Sequence, residues 1–178
     1  MSIKILLYDI ETTPNVSYTW GMYDQNVIAF QKEWELLSIA FRWFNESKPQ
    51  VLSRRTLSEK ELVGRVHKLF DEADFLIAHN GDEFDWKKMN AKFIQFKLKP
   101  PSPAVKIDTK KLAKKYFKFN SNSLNNLCDL LEIGKKIDTG GIELWLGCMR
   151  GDVASLKKME EYNLKDILLL EKLYLKFV

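Results

Sequence analysis

The stretch IKILLYDIET, residues 3–12, decides the fold because it joins a short apolar run to two acids. Its leucines and β-branched residues, bounded by the acids, favour a buried strand ending at Asp9 over a helix. Asp9 and Glu11 are two residues apart, so in an extended chain both side chains point to the same face and can bind one ion. An Asp-x-Glu tripeptide is common at the end of a strand. Next to a buried strand, however, uncompensated charge is costly, which favours a cation site.

The remaining pattern predicts an α/β fold built on a mixed sheet. Aromatic and polar residues alternate over 17–44 and predict an antiparallel meander, followed by strand-helix-strand and then helices alone. A capping box, Ser58 with Glu61, marks the start of the first helix. Helices are predicted at 58–72, 84–96, 109–117, 123–132, 142–149 and from 152 to the end, with later strands at 36–44, 51–52, 75–78 and 105–107. The expected architecture is an antiparallel meander plus parallel strands, flanked by α-helices.

Composition indicates one domain, residues 1–178, since 46% of the residues are hydrophobic and the proline-rich segment 99–103 is too short to separate two domains. Two cysteines, Cys128 and Cys148, form neither a disulfide framework nor a zinc motif. There is no signal-peptide pattern and no apolar run of about 18 residues. We therefore expect a soluble, cytoplasmic protein without a membrane partner. The net charge of +4 permits a polyanionic partner without demonstrating one.

A second acidic stretch, residues 80–85, reads NGDEFD and stands at the start of a predicted helix. Carboxylates there also serve as ordinary N-terminal caps, which is the stronger interpretation for Asp82 and Glu83. Asp85 follows Phe84, and if Phe84 anchors the turn in the core, Asp85 lies at the sheet edge beside Asp9. Asp85 is the preferred site residue, with Asp82 as the alternative.

The third stretch places Tyr162 and Asp166 four residues apart, and therefore on one face of the last helix. An isolated pair of this kind is by default a half-buried tyrosine and a solvated aspartate. Its combination with the two earlier stretches favours a common site.

Four carboxylates, from Asp9, Glu11, Asp85 and Asp166, suit two Mg²⁺ ions, because hard cations prefer oxygen ligands; Mn²⁺ is a plausible substitute. Two such ions about 3.5–4 Å apart can stabilise the attacking and leaving oxygens of a phosphodiester displacement. Metal-assisted hydrolysis of a phosphodiester is the predicted reaction.

These motifs resemble the DEDD superfamily of 3′-to-5′ exonucleases, whose fold is ribonuclease H-like. The run Asp9-Ile10-Glu11-Thr12 resembles the first motif of that superfamily. Asn80-x-x-x-Phe84-Asp85 resembles the second, in the form seen in family B DNA polymerase proofreading domains. Tyr162-x-x-x-Asp166 resembles the third, and tyrosine four residues before the last acid marks the DEDDy branch.

The resemblance implies that the four acids bind two metal ions and that Tyr162 orients or helps activate the attacking water. It also implies that Thr12, Asn80 and Phe84 contact the 3′-terminal nucleotides of a single strand; for Phe84, a core anchor explains the residue equally well. No polymerase motifs accompany the domain. A free-standing exonuclease, a proofreading subunit with a polymerase or other replication partner, and part of a longer protein are all compatible with this.

Two alternatives stay open at this point. The motifs do not distinguish RNA, which carries a 2′-hydroxyl, from DNA, so an exoribonuclease is the same-class alternative. A catalytically silent nucleic-acid-binding module is the different-class alternative, and retention of every acid argues against it.

Substrate-binding residues are sought among lysines and aromatic residues. One predicted helix face carries lysines at i, i+3, i+4 and i+7, namely Lys111, Lys114, Lys115 and Lys118, which suit phosphate contacts although such a face is usually only solvated. Trp20, Tyr23, Trp43 and Trp86 could stack on bases, but core packing explains most of them better. The segment 135–141 is expected to be a loop before a helix; it could approach substrate, but loop structure alone is the better interpretation.

Overall fold

A computed structural model describes residues 3–23, 26–44, 46 and 48–178. Its strands are β1 (Ile5–Thr12), β2 (Val16–Tyr18), β3 (Ala29–Lys32), β4 (Leu36–Trp43), β5 (Gln50–Ser53), β6 (Phe75–Ala78) and β7 (Val105–Asp108). Its helices are α1 (Glu59–Glu72), α2 (Asp85–Gln95), α3 (Thr109–Tyr116), α4 (Leu124–Leu130), α5 (Glu143–Met149) and α6 (Val153–Phe177).

Five strands form the main sheet, in the order β5-β4-β1-β6-β7. β1 pairs antiparallel with β4 on one side and parallel with β6 on the other, so the sheet is mixed as predicted. β4 and β5 pair antiparallel, whereas β6 and β7 pair parallel. The fold class expected from the sequence, a mixed sheet flanked by helices, is confirmed.

The central strand β1 is buried on both faces, which explains why its sequence reads as a continuous apolar run. Leu6, Tyr8 and Ile10 pack with α1 and α2 in one core cluster. Leu7 packs on the opposite face against Ile167 of α6. Since side chains alternate along a strand, the two acids of β1 share the α6 face with Leu7.

Two predictions for the N-terminal region are wrong. β1 does not end at Asp9 but continues to Thr12, with a register irregularity against β4 between Glu11 and Thr12, so both acids belong to the strand itself. The meander does not include the whole of 17–44, because β2 and β3 form a separate two-stranded sheet. β2 has three residues and β3 is fully exposed, so neither offers an apolar face to the core.

The four aromatic residues considered for base stacking fall into two pairs. Trp43 and Trp86 pack against the core, so core packing explains two of the four rather than most of them. Trp20 and Tyr23 lie in the connection after β2 and are 88% and 79% exposed. Core packing therefore does not explain the second pair.

Helix boundaries follow the predicted signals closely. The capping box at Ser58 and Glu61 forms as predicted, with each side chain bonded to the other residue's backbone. α3 ends at Tyr116, so Lys118 lies beyond the helix rather than on its basic face. None of the helices in the described part of the chain has both the length and the apolar character needed to cross a bilayer.

Candidate active site

Three carboxylates meet where β1 faces α6. One oxygen each from Asp9, Glu11 and Asp166 lie within 4.8 Å of one another. The alternation of β1 turns Asp9 and Glu11 toward α6, and Asp166 precedes Ile167, the α6 residue that packs beside Leu7. Core packing on this face therefore brings together acids more than 150 residues apart in sequence.

The fourth acid, Asp85, lies outside this group of three but next to it. It is the first residue of α2, and its Oδ1 accepts a hydrogen bond of 3.0 Å from the backbone N–H of Ile10. The expected anchor is wrong, because the Phe84 side chain is 40% exposed. Asp85 is held by the backbone of β1 instead, whereas the alternative acid, Asp82, is engaged by Lys111 at 2.7 Å.

Burial and mutual repulsion raise the pKa of these acids. The pKa of Glu11 rises to about 8, chiefly through burial and then through the charge of Asp166. Burial also raises the pKa of Asp85 to about 7, despite the Ile10 N–H that favours the charged form. The pKa of Asp9 is raised well above its usual range by burial, then by Asp85, Glu11 and Asp166 in that order. The cluster therefore holds more negative charge than its surroundings compensate.

The donor set fits a hard divalent cation. Asp166 Oδ1 is buried without a hydrogen-bond partner in the described part of the chain, although its Oδ2 is paired. A buried carboxylate oxygen without a partner is costly, and a cation that binds oxygen would satisfy it. The ligand atoms available from Asp9, Glu11 and Asp166 are all carboxylate oxygens.

Asn163 is a site residue that sequence reasoning missed. Its amide nitrogen donates to Asp9 Oδ2 at 2.6 Å and to the Asp9 carbonyl at 3.2 Å. Its amide oxygen accepts from the hydroxyl of Ser38, a β4 residue, at 2.8 Å. Both Asn163 and Ser38 are fully buried, so the chain of hydrogen bonds fixes the orientation of the Asp9 carboxylate. The available signal was the position of Asn163, three residues before Asp166 on the same helix.

Lys136 is a second missed residue and comes from the predicted loop 135–141. Its ammonium binds Asp166 Oδ2 at 2.6 Å and lies 5.0 Å from the centre of the Tyr162 ring. No local pattern in the sequence distinguishes Lys136 from the exposed Lys135 beside it.

Tyr162 lies at the edge of the acid cluster, one helical turn before Asp166. Burial, followed by the charge of Asp166, raises the pKa of its phenol to about 12. Trp145 of α5 packs edge-on against its ring, with 6.3 Å between ring centres. Tyr162 is therefore a protonated hydrogen-bond donor at neutral pH.

A cleft of about 420 Å³ opens beside the acids. Its wall includes Thr12, which follows Glu11, and Phe84, which precedes Asp85, together with Asn15, Trp34, Lys88 and Trp145. The structure thus brings together two of the three residues implied to contact nucleotides. The third, Asn80, does not line this cleft; its backbone, at φ 66°, bonds to Asp108 through its N–H.

The lysines predicted to bind phosphate do not line the cleft. Lys111 is paired with Asp82, and Lys114 and Lys115 are exposed on α3. Lys118 lies beyond the end of α3, so the predicted face of four lysines on one helix is wrong.

Comparison with known proteins gives the family. A model of the RNase_H superfamily matches residues 6–178, and the chain belongs to that superfamily. Among solved structures, the chain is similar to the family B DNA polymerase from the hyperthermophilic archaeon Pyrobaculum calidifontis, with a TM-score of 0.72 and 13% sequence identity. The match covers 99% of this chain and 24% of the polymerase chain, so the chain spans about a quarter of that protein's length. No curated protein sequence matches.

These findings confirm the ribonuclease H-like fold and the resemblance on which it was expected. Together with the acid cluster, superfamily membership supports a nuclease that acts on nucleic acid.

Proposed function

We propose that this protein is a metal-dependent 3′-to-5′ exonuclease of the DEDDy branch that hydrolyses single-stranded DNA, with residues 1–178 acting as one nuclease domain. The observation that carries the proposal is the meeting of Asp9, Glu11 and Asp166, with Asp85 and Tyr162 beside them. A cleft lined by Thr12 and Phe84, the chain neighbours of Glu11 and Asp85, adjoins this cluster.

The four acids would hold two Mg²⁺ ions, with Mn²⁺ as a substitute. Asp9, Glu11 and Asp166 offer three oxygens to one ion, and Asp85, whose negative charge raises the pKa of Asp9 more than the charge of any other acid does, suits a second. When bound, such cations neutralise charge developing on the phosphate and supply hydroxide at neutral pH.

The neighbouring residues of this chain position the reactants. Tyr162 keeps its proton and can donate a hydrogen bond that orients the attacking water. Thr12 and Phe84 face the cleft and would contact the terminal nucleotide. The cleft volume of about 420 Å³ falls within the usual range for ligand sites and suits the end of a strand.

The resemblance to polymerase proofreading domains and the fold of the archaeal polymerase favour DNA and a replication partner such as a polymerase. An exoribonuclease uses the same acids, since nothing in the acid cluster distinguishes a 2′-hydroxyl. A silent binding module fits poorly with four buried or partly buried acids of which only Asp166, in the described structure, has a lysine partner.

The test compares 5′-labelled single-stranded DNA and RNA of one sequence in the presence of Mg²⁺. We expect a ladder of products that shortens from the 3′ end of the DNA, is lost in chelator and is lost in Asp166→Asn. Glu161→Gln, an exposed acid on the same helix, is the matched control and should leave the ladder unchanged.

A ladder that persists in Asp166→Asn would overturn the proposed site. Immediate release of the labelled 5′ nucleotide would mean that the enzyme degrades from the 5′ end, which contradicts the proposed 3′-to-5′ polarity. Faster degradation of the RNA would favour the exoribonuclease.

A further inference from the structure

Lys88 has an unusual position in the wall of the cleft. It lies on α2, and its Nζ is 3.9 Å from the centre of the Trp34 ring and 4.9 Å from that of Phe84. It also donates a hydrogen bond of 3.1 Å to Thr12 Oγ1. Two aromatic rings and a hydroxyl thus fix the ammonium beside the space where Thr12 and Phe84 face the cleft.

The charge of Lys88 has no carboxylate partner within 4.0 Å among the residues that the structure describes. Lys92, one turn later on α2, contrasts with it: its Nζ is 2.8 Å from Glu59, donates to the Trp34 carbonyl, and is buried. Burial and the nearby charge of Lys92 lower the pKa of Lys88, although Asp85 favours its charged form. Aromatic faces stabilise an ammonium only partly, so Lys88 can gain further by meeting an anion.

We propose that Lys88 binds a backbone phosphate of the single strand lying in the cleft, with Trp34 and Phe84 holding the ammonium in place. The proposal rests on the proposed nuclease function, because that function supplies the polyanionic ligand. Glu11 and Asp85, the chain neighbours of the cleft residues Thr12 and Phe84, repel phosphates, so a cation on the cleft wall would fix where the backbone runs. An ammonium is a compact point charge suited to a phosphate oxygen. This assigns to α2 the phosphate contact that the sequence had suggested for α3.

The first experiment measures binding without cleavage. A fluorescent single-stranded oligonucleotide is titrated with wild type, Lys88→Met, Lys88→Arg and Lys115→Met in chelator, over a series of salt concentrations. Loss of one phosphate contact should weaken binding by about tenfold at low salt and reduce the slope of log affinity against log salt by about 0.7. Lys88→Arg should keep the slope, and Lys115→Met, which removes an exposed lysine of α3, should match wild type.

The proposal is overturned if Lys88→Met keeps the wild-type salt slope, or if Lys115→Met lowers it equally. Thermal melting of each variant shows whether it is folded. If Lys88→Met does not fold, Lys88→Arg decides: a retained slope and affinity support a charge contact, and an affinity loss of about tenfold or more overturns it.

The second experiment separates this proposal from the proposed function. In hydrolysis, Lys88→Met should raise KM several-fold with kcat within about twofold, because the contact is made equally to bound substrate and transition state. Salt-linked binding through Lys88 in a protein without hydrolysis would overturn the proposed function and leave the phosphate site standing. Hydrolysis with an unchanged KM in Lys88→Met would overturn the phosphate site alone.

Discussion

Asp82 and Asp85 stand three residues apart in the same turn, yet their surroundings are opposite. The Asp82 side chain lies 2.7 Å from the Lys111 ammonium and 3.8 Å from that of Lys106. Asp85 is buried, and its side chain accepts a hydrogen bond from the Ile10 N–H. Burial raises the pKa of Asp85 to about 7, whereas the pKa of Lys111 is raised by its bond to Asp82, as in an ordinary ion pair.

The same difference separates two larger acidic groups. Asp82 pairs with Lys111, Glu83 pairs with Lys87, and Asp108 caps α3 by accepting hydrogen bonds from backbone N–H groups. The four acids at β1 have fewer cationic partners. In the described structure, Asp166 alone of the four has a lysine within ion-pair distance, which is Lys136.

Acidic side chains that are paired or capping stabilise the fold and are satisfied without a ligand. Acidic side chains that are buried together and unpaired destabilise the fold unless something positive binds them. Such a cluster is a candidate functional site, so the difference in partners, rather than the number of acids, distinguishes the two groups.

The largest effect should come from exchanging one acid in each group for its amide. Asp85→Asn should reduce hydrolysis by roughly a thousandfold or more, because it removes a charge that the proposed metal site needs. Asp82→Asn should keep activity within about threefold, since it breaks only a partly exposed ion pair. Initial rates under saturating Mg²⁺ measure both. An equal loss of rate in the two variants would contradict the assignment of Asp85 to the site and of Asp82 to an ordinary ion pair.

A smaller effect should come from the hydrogen-bonded chain behind Asp9. Asn163→Leu removes the amide that orients this carboxylate, and we expect the Mg²⁺ concentration for half-maximal activity to rise by about 10–100-fold. Ser38→Ala, one step further away, should give a change in the same direction but smaller. Asn125→Leu, an exposed residue of α4, is the control.

Restoration of the rate at high Mg²⁺ would show that Asn163 acts through the metal site. A loss of rate that saturating Mg²⁺ leaves unchanged, in a variant with wild-type melting, would contradict that positioning role.

The smallest effect concerns stability in chelator. The folded pKa of Glu11 is about 8 against an ordinary 4.5, so its stabilising contribution is complete below about pH 4.5 and is lost as the pH rises through 8. At pH 8, the free energy of unfolding of Glu11→Gln should therefore exceed that of wild type by about 1–2 kcal/mol. This difference corresponds to a melting temperature that is higher by roughly 2–8 °C. At pH 4, below the ordinary pKa of Glu11, the two should nearly coincide.

Scanning calorimetry in chelator measures this difference, with Glu161→Gln as an exposed control. Lower melting of Glu11→Gln at pH 8 would show that the Glu11 charge is already compensated in the folded protein. It would then remove the electrostatic distinction between the two acidic groups.

Local sequence patterns determined the parts of this protein that depend on neighbouring residues. The apolar run before Asp9 predicted the central strand, and Ser58 with Glu61 predicted where α1 begins, because strand burial and helix capping act over a few residues. The spacing of Asp9, Glu11, Tyr162 and Asp166 likewise indicated which acids belong together, since strand and helix periods fix which side chains share a face.

Only the tertiary structure decided which partners those residues meet. Asp85 lies next to β1 as expected, but for a different reason, because a backbone N–H of β1 holds it while Phe84 faces the cleft. Asn163 reaches Asp9 across 154 residues, and Lys136 reaches the site from a loop with no distinguishing pattern. Lys88 and Lys92 are lysines one turn apart on the same helix, yet Lys88 faces the cleft whereas Lys92 pairs with Glu59. Hydrogen bonds and charge pairs of this kind depend on how distant elements pack, and local periodicity does not predict that packing.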